Sequence, residues 1–403
     1  MNHHHEYQQH EDNRIFHQQE IVTSNKNTTL MASKQALFRS SSFSEPLSNI
    51  DQNIMSDDDQ QQTHELTFPD DIVFHVMQFL ESTFLGTTCT RVCKQWYSQV
   101  CQVPLSLDFS RRRKNQSLPF DVVHGINTML NITKLDLTLC SIGDEGVKFI
   151  SNCDFKNLKI LCLWYNNIGS QGAGYIASSM KNLTYLDLYY NNIGVKGSRW
   201  IATSEHLKHL TYLNIGFNQI KCAGIKALCS SPHSCQNLVT LKIGGSTLGV
   251  EGAIYLSTCE RLQKLNHLDV SYSKLGAEGA KHIASSVFLK NLTHLSMNGN
   301  NIEDDGVKSI ATSAYMKHLK ELRLERNNIG NEGAKYISQS EHMRTLMDLD
   351  LCLNKIGDKG ATYIGTSEVL KHLQVLDLSQ NEMTAHGVGV IRQHLTDLLY
   401  FHH

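Results

Sequence analysis

The sequence is short of the features that would send it to a membrane, a secretory route or a nucleic acid. It opens without an apolar segment of signal-peptide type. It also holds no apolar run near the roughly 18 residues that a spanning helix needs. Lysine plus arginine (37) nearly balance aspartate plus glutamate (39), and a net charge of −2 leaves no overall basic field for nucleic acid or acidic lipid. No disulfide-rich cluster is present. The eleven cysteines are odd in number and scattered, several of them (Cys162, Cys229, Cys352) at regular positions of a recurring pattern. Buried free thiols in a soluble cytoplasmic or nuclear protein are the expectation. Without secretion, the Asn182-Leu-Thr and Asn291-Leu-Thr sequons carry no weight.

Catalytic and metal signatures are equally sparse. Gly172-Ala-Gly174-Tyr-Ile-Ala177 imitates a dinucleotide fingerprint, but Gly172 is the recurring pattern's own glycine and no acidic partner follows in register. No Ser/His/Asp set can be picked out. Cys222, Cys229, His233 and Cys235 sit close together at an irregular insertion, but without paired C-x-x-C elements they do not read as a zinc site. His3-His4-His5 and His10 lack partner ligands at fixed spacing, and His5 to His10 is one residue too long for H-E-x-x-H. No catalytic residue, metal or cofactor is expected, and the chain is not read as an enzyme.

Repetition is what the chain does have. In His318–Ile337, HLKELRLERNNIGNEGAKYI, apolar residues alternate so that Leu322 and Leu324 face one side, and Glu321, Arg323 and Glu325 the other. Asn327 follows, then Ile329, Gly333, Ala334 and Ile337, the last two on one helical face. The skeleton restarts at Leu346 and Leu373, and earlier at Leu292, Leu265, Leu238, Leu210, Leu183, Leu158 and, more weakly, Ile132. The turn position is Asn in seven copies (Asn166, Asn191, Asn218, Asn300, Asn327, Asn354, Asn381) and Cys140, Ser246 or Ser273 in the others. An amide there can satisfy backbone groups that stacking would leave unpaired. The recurring glycine, from Gly146 to Gly387, implies a close approach that a Cβ would crowd. The L-x-x-L-x-L-x-x-N-x-I spacing resembles the leucine-rich repeat. With a period of 25–28, the copies are similar to the ribonuclease-inhibitor class. The resemblance implies an α/β solenoid, a horseshoe with parallel strands concave and helices convex.

Composition divides the chain further. Residues 1–65, rich in His, Gln, Asn, Ser and Asp, read as a disordered polar tail, and nothing selects Ser40–Ser44 for phosphorylation. Over 66–104 two or three short helices are expected. Pro69 suits a first turn beside Asp70 and Asp71, and Ile72, Val73, Val76, Met77 and Leu80 form an apolar stripe. So short a module needs a neighbour or a partner. Phe68-Pro69-Asp70-Asp71-Ile72, then Val76, Phe79-Leu80 and Leu85, then Val92-Cys93-Lys94-Gln95-Trp96, resemble an all-α F-box. The sequence departs in Phe68 for Leu, Asp71 for Glu, a missing Asp-Pro and about one extra residue before Trp96. The resemblance implies docking on a Skp-family adaptor of a cullin–RING ubiquitin ligase through Phe68, Pro69, Ile72, Val76, Leu80, Val92 and Trp96. Residues 105–131 read as linker and cap, with LSLDF as a degenerate first strand and Arg111-Arg112-Arg113-Lys114 as a solvated run. The repeats span 132–393 and a C-terminal cap or tail 394–403, with Val390, Ile391, Leu395 and Leu398–Leu399 as capping residues.

Positions left free on the strands line the concave face. Repeats two to four put Trp164, Tyr165, Tyr185, Tyr189, Tyr190, Tyr212 and Phe217 there, and repeat six Tyr272 with His267 and Asp269. Thr240, Lys242, Gly244 and Gly245 come from repeat five, and Glu321, Arg323, Glu325 and Arg326 from repeat eight. Clustered aromatics with polar tips are the usual makings of a protein-binding hot spot. The combined expectation is a substrate-recognition subunit of such a ligase, holding an unknown target protein. The alternatives are a non-catalytic interaction scaffold with a degenerate F-box and, least favoured, a repeat protein resembling the Ran GTPase-activating protein.

Overall fold

The computed structural model describes residues 105–108, 131–153 and 155–403. The expected tail, the F-box-like module with its seven docking residues, and Arg111–Lys114 lie outside these residues.

Alternation of apolar and polar residues in each copy produces a short strand whose middle leucine points inward. The strands are β1 (Leu105–Asp108), β2 (Ile132–Asp136), β3 (Ile160–Cys162), β4 (Tyr185–Asp187), β5 (Tyr212–Asn214), β6 (Thr240–Lys242), β7 (His267–Asp269), β8 (His294–Ser296), β9 (Glu321–Arg323), β10 (Asp348–Asp350), β11 (Val375–Asp377) and β12 (Tyr400–His402). All twelve form one sheet in chain order, and each neighbouring pair is parallel. The expected degenerate strand at 105 pairs with β2. Among the described residues ten α-helices alternate with the strands: α1 (Gly143–Ser151), α2 (Ser170–Ser179), α3 (Gly194–Thr203), α4 (Lys221–Ser230), α5 (Gly249–Ser257), α6 (Gly276–Ala284), α7 (Glu303–Ala311), α8 (Asn331–Gln339), α9 (Asp358–Gly365) and α10 (Ala385–His394). Each helix packs against the next, as each strand does, which makes an α/β solenoid with one continuous core.

The core is a set of ladders. Leu161, Leu186, Leu213, Leu241, Leu268, Leu295, Leu322, Leu349 and Leu376 pair in register and are all buried. Each such leucine contributes roughly 1.5–3 kcal/mol by burial. At the C-terminal end Ile391 and Leu395 are buried and Leu399 is exposed. The Leu399 and Tyr400 N–H groups donate to Gln374 O, so the last residues continue the ladder as β12.

Three polar staples tie repeat to repeat. Asn327 is fully buried; its Oδ1 accepts from Asn300 N (3.0 Å) and Ile302 N (3.3 Å), and its Nδ2 donates to Met297 O (3.0 Å) and Glu325 O (3.1 Å). Asn191 and Asn354 do the same in their own copies. The second staple is a carboxylate at the start of one helix that caps the next. Asp304 Oδ1 of α7 accepts from Gly330 N (2.7 Å) and Gly333 N (2.9 Å) at α8. The third is a serine after a helix, such as Ser286, whose hydroxyl donates to Ser257 O at 2.6 Å. The recurring glycine is explained more narrowly than backbone crowding: a Cβ on Gly333 would meet Ile329 Cγ2 at 2.5 Å and the capping Asp304 Oδ1 at 2.6 Å, both side-chain atoms.

Candidate protein-binding face

The sheet's helix-free face is built from columns. Parallel pairing sets Lys134, Ile160, Tyr185, Tyr212, Thr240, His267, His294, Glu321, Asp348 and Val375 side by side in one column. The next outward-facing column reads Asp136, Cys162, Asp187, Asn214, Lys242, Asp269, Ser296, Arg323, Asp350 and Asp377. Beyond the strands the chain turns through a left-handed residue in each copy, and Tyr165, Tyr190, Phe217 and Tyr272 occupy that position with φ of 56, 53, 54 and 53°.

All eight aromatic residues expected on this face have ring contacts that place them in two groups. Tyr185 and Tyr212 stack flat, with centroids 3.9 Å apart and planes 7° apart. The larger group starts with Tyr165 on Tyr190 (4.8 Å) and Trp164 against Tyr189 (5.9 Å). Tyr189 and Tyr190 both meet Phe217, at 5.3 and 6.0 Å. Phe217 then reaches Tyr272 at 6.2 Å, across the whole of repeat five. Two glycines permit this reach. A Cβ on Gly245 would meet the Phe217 ring at 2.5 Å, and one on Gly299 would meet the Tyr272 ring at 2.3 Å. The rings therefore run as one ribbon along the turn. Tyr165 is the most open, 48% exposed, and the Trp164 Nε1–H is buried without a hydrogen-bond partner among the described residues.

Charge was less legible in the sequence. Asp187 follows Tyr185 by two residues on β4 and accepts from Tyr189 N (2.9 Å) and Asn214 Nδ2 (3.2 Å). Burial pushes its carboxyl up to about 6, against those hydrogen bonds. Burial and the Asp187 charge also push the Tyr185 and Tyr212 hydroxyls up. His267 stacks on His294 at 5.2 Å, and burial together with Lys242 pulls it down to about 4. Farther along, Arg323 bonds Glu321 (2.5 Å) and lies 3.8 Å from Asp348. Burial, opposed by Arg323, pushes Asp348 up to about 6. Of these residues the sequence reading singled out His267, Glu321 and Arg323 as outward-facing, and not Asp187, His294 or Asp348, whose place follows from pairing with the adjacent strands.

The strand, asparagine turn and helix recur with the same inter-repeat bonds in copy after copy, and comparison with family models agrees. Residues 156–220 match one leucine rich repeat model; residues 128–151, 261–284, 288–311, 315–338, 342–365 and 369–391 match a second. The chain is a leucine-rich-repeat protein. No curated protein matches it. Such repeats are protein-interaction modules, so this leucine-rich-repeat chain is an interaction scaffold. Residues 221–260 fall between the matched segments, and Phe68, Pro69, Ile72, Val76, Leu80, Val92 and Trp96 lie outside both the matched segments and the described residues. No helix among the described residues is long and apolar enough to cross a membrane.

Proposed function

We propose that the ring ribbon is the target-binding surface and that residues 66–104 deliver the bound protein to a ubiquitin ligase. The observation that carries the first half is the run Tyr165–Tyr190–Phe217–Tyr272 on the helix-free face, with the separate Tyr185–Tyr212 stack on the neighbouring strands. Rigid aromatic rings offer large contact area at low entropy cost, which is how a small patch dominates binding. Trp164, Tyr165, Tyr185, Tyr189, Tyr190, Tyr212, Phe217 and Tyr272 are the binding residues in this reading.

The second half rests on the F-box-like residues: Phe68, Pro69, Ile72, Val76, Leu80, Val92 and Trp96 would dock on a Skp-family adaptor. The protein would then do no covalent chemistry, and would raise the effective concentration of its target beside the ligase. The test is binding of the purified full chain to a Skp-family adaptor, with Pro69→Ala and Trp96→Ala alongside. Binding by the parent that falls at least about tenfold in the folded variants supports delivery to a ligase. No binding by the folded parent overturns it and leaves the ring ribbon as an interaction surface alone.

A further inference from the structure

The helical side of the solenoid carries a charge pattern that breaks at one place. Two residues after the recurring glycine, six helices present a cation: Lys148, Arg199, Lys226, Lys281, Lys308 and Lys335. Three of these are neutralised by the acid just before that glycine: Lys148 by Glu145 (3.5 Å), Lys281 by Glu278 (3.2 Å) and Lys335 by Glu332 (3.1 Å). On α3 and α4 the acid's place is taken by Lys196 and Ala223, and neither first turn holds an acid. The two adjacent helices thus present Lys196, Arg199, Lys221 and Lys226, all exposed. Lys196, Arg199 and Lys221 make no ion pair among the described residues, and Lys226 lies over the Tyr255 ring at 5.5 Å. Lys196 and Lys221 also sit in first turns, where they reinforce the positive field of the helix N-termini.

Within this charge stands Trp200, 49% exposed. It follows Arg199 directly and lies one turn from Lys196 on the same helical face. In later copies the cation of one helix covers the aromatic ring of the next, as Lys226, Lys308 and Lys335 cover Tyr255, Tyr336 and Tyr363. Before Trp200 that place is Gly174, whose Cβ position is 3.6 Å from Trp200 Cδ1, so the indole lies over bare backbone. The charge stops on either side. Helix α2 carries no charged side chain, and α5 carries only Glu251. Glu251 accepts from the Tyr255 hydroxyl at 2.9 Å, with Lys226 close enough to stabilise it further, and Glu205 beyond α3 faces His233 at 3.7 Å.

We propose that the α3–α4 face is a second protein-docking surface, whose partner is a short segment rich in Asp and Glu that sets an apolar side chain on Trp200. Carboxylates complement cations that the fold leaves without acids, and a half-exposed tryptophan among them is the residue type that dominates such contacts. The patch is two helices wide, with axes about 8–10 Å apart, and ends at an uncharged neighbour. That suits a peptide better than a nucleic acid, whose phosphates repeat about every 3.4 Å along a strand. The ring ribbon lies on the helix-free side of the sheet, so this surface takes a different partner.

The test titrates the purified full chain into a fluorescent peptide of about ten residues, Asp and Glu around a central Leu, long enough when extended to cross both helices. Expected is saturable binding, read by anisotropy, that weakens with added salt. Trp200→Ala should weaken it at least about tenfold, and Arg199→Gln with Lys226→Gln should do the same and flatten the salt dependence. Lys281→Gln with Lys308→Gln, on α6 and α7, should leave it unchanged. All the substituted side chains are on the surface, and circular dichroism checks each fold. No saturable binding by the folded parent up to about 1 mM overturns the proposal, as does equal loss in the α6–α7 variant. Equal binding of a single-stranded oligonucleotide of the same charge, insensitive to Trp200→Ala, would make the patch a general polyanion surface and overturn it too.

Discussion

Phe217 lies flat over Gly245, one strand away, so that a Cβ on that glycine would stand 2.5 Å from the ring. Gly245 also has φ of +69°, where a side chain is strained in its own right. The glycine is what lets the ring lean toward Tyr272 and close the gap that repeat five would otherwise leave.

Gly245→Ala should therefore cost about 1–2 kcal/mol of stability from the left-handed backbone alone, and push Phe217 off its seat. A lowered denaturation midpoint, with altered near-ultraviolet dichroism from the tyrosine–phenylalanine group, would be the signature. An unchanged spectrum would mean that the rings do not communicate across repeat five.

Tyr190 stacks on Tyr165 and touches Phe217, so it is the node of the ribbon. Tyr190→Ala should weaken capture of a target by at least about tenfold, while an exposed residue of the helical side such as Tyr315→Ala leaves it unchanged. Proximity-labelled partners compared between the two variants provide the readout. Equal loss in both would move the binding surface to the helices.

Asn327→Ala removes four hydrogen bonds and strands Asn300 N and Ile302 N away from water, while Met297 O keeps its bond from Asn300 Nδ2. A loss of roughly 2–5 kcal/mol is expected in chemical denaturation. The serine copies, Ser246 and Ser273, bond only a carbonyl two residues back (3.4 and 3.1 Å), so Ser246→Ala should cost far less.

The Asp187 carboxyl is raised to about 6 in the folded protein, from an ordinary value of 3.8. A raised acid favours the folded state when protonated, so its charged form is destabilising above about pH 6 and that cost disappears as pH falls toward 4. Asp187→Asn should then gain up to about 3 kcal/mol relative to the parent at pH 7.5 and little at pH 4. His267 runs the other way. Lowered to about 4, it stabilises the fold above its ordinary 6.5 and loses that contribution as pH drops toward 4. Melting curves of parent, Asp187→Asn and His267→Gln across pH 4–8 separate the two signs.

Asp304 Oδ1 caps α8 from the preceding repeat. Asp304→Ala should cost about 1–2 kcal/mol and Asp304→Asn much less, because the amide oxygen still accepts, as Asn331 does for Gly357 N (2.9 Å) and Gly360 N (2.7 Å). Equal losses would assign the effect to charge.

The sequence by itself determined the solenoid. Leu322 and Leu324 alternate with charged residues, Asn327 and Gly333 stand at fixed places, and the same spacing recurs ten times, so local period and turn chemistry suffice to specify strand, turn and helix. It also left Trp164, Tyr165, Tyr185, Tyr189, Tyr190, Tyr212, Phe217 and Tyr272 outside the leucine core, Trp164, Tyr185, Tyr189 and Tyr212 by alternation and Tyr165, Tyr190, Phe217 and Tyr272 at the turn that follows. Only the tertiary structure decided which of them touch. Phe217 meets Tyr272 because two strands stack in register with a bare glycine between them. Asp304 caps a helix 26 residues away, and Cys259 reaches Cys229 across 30. Contacts across one period depend on what the neighbouring copy carries at the matching place, and strand alternation along a single copy does not specify that.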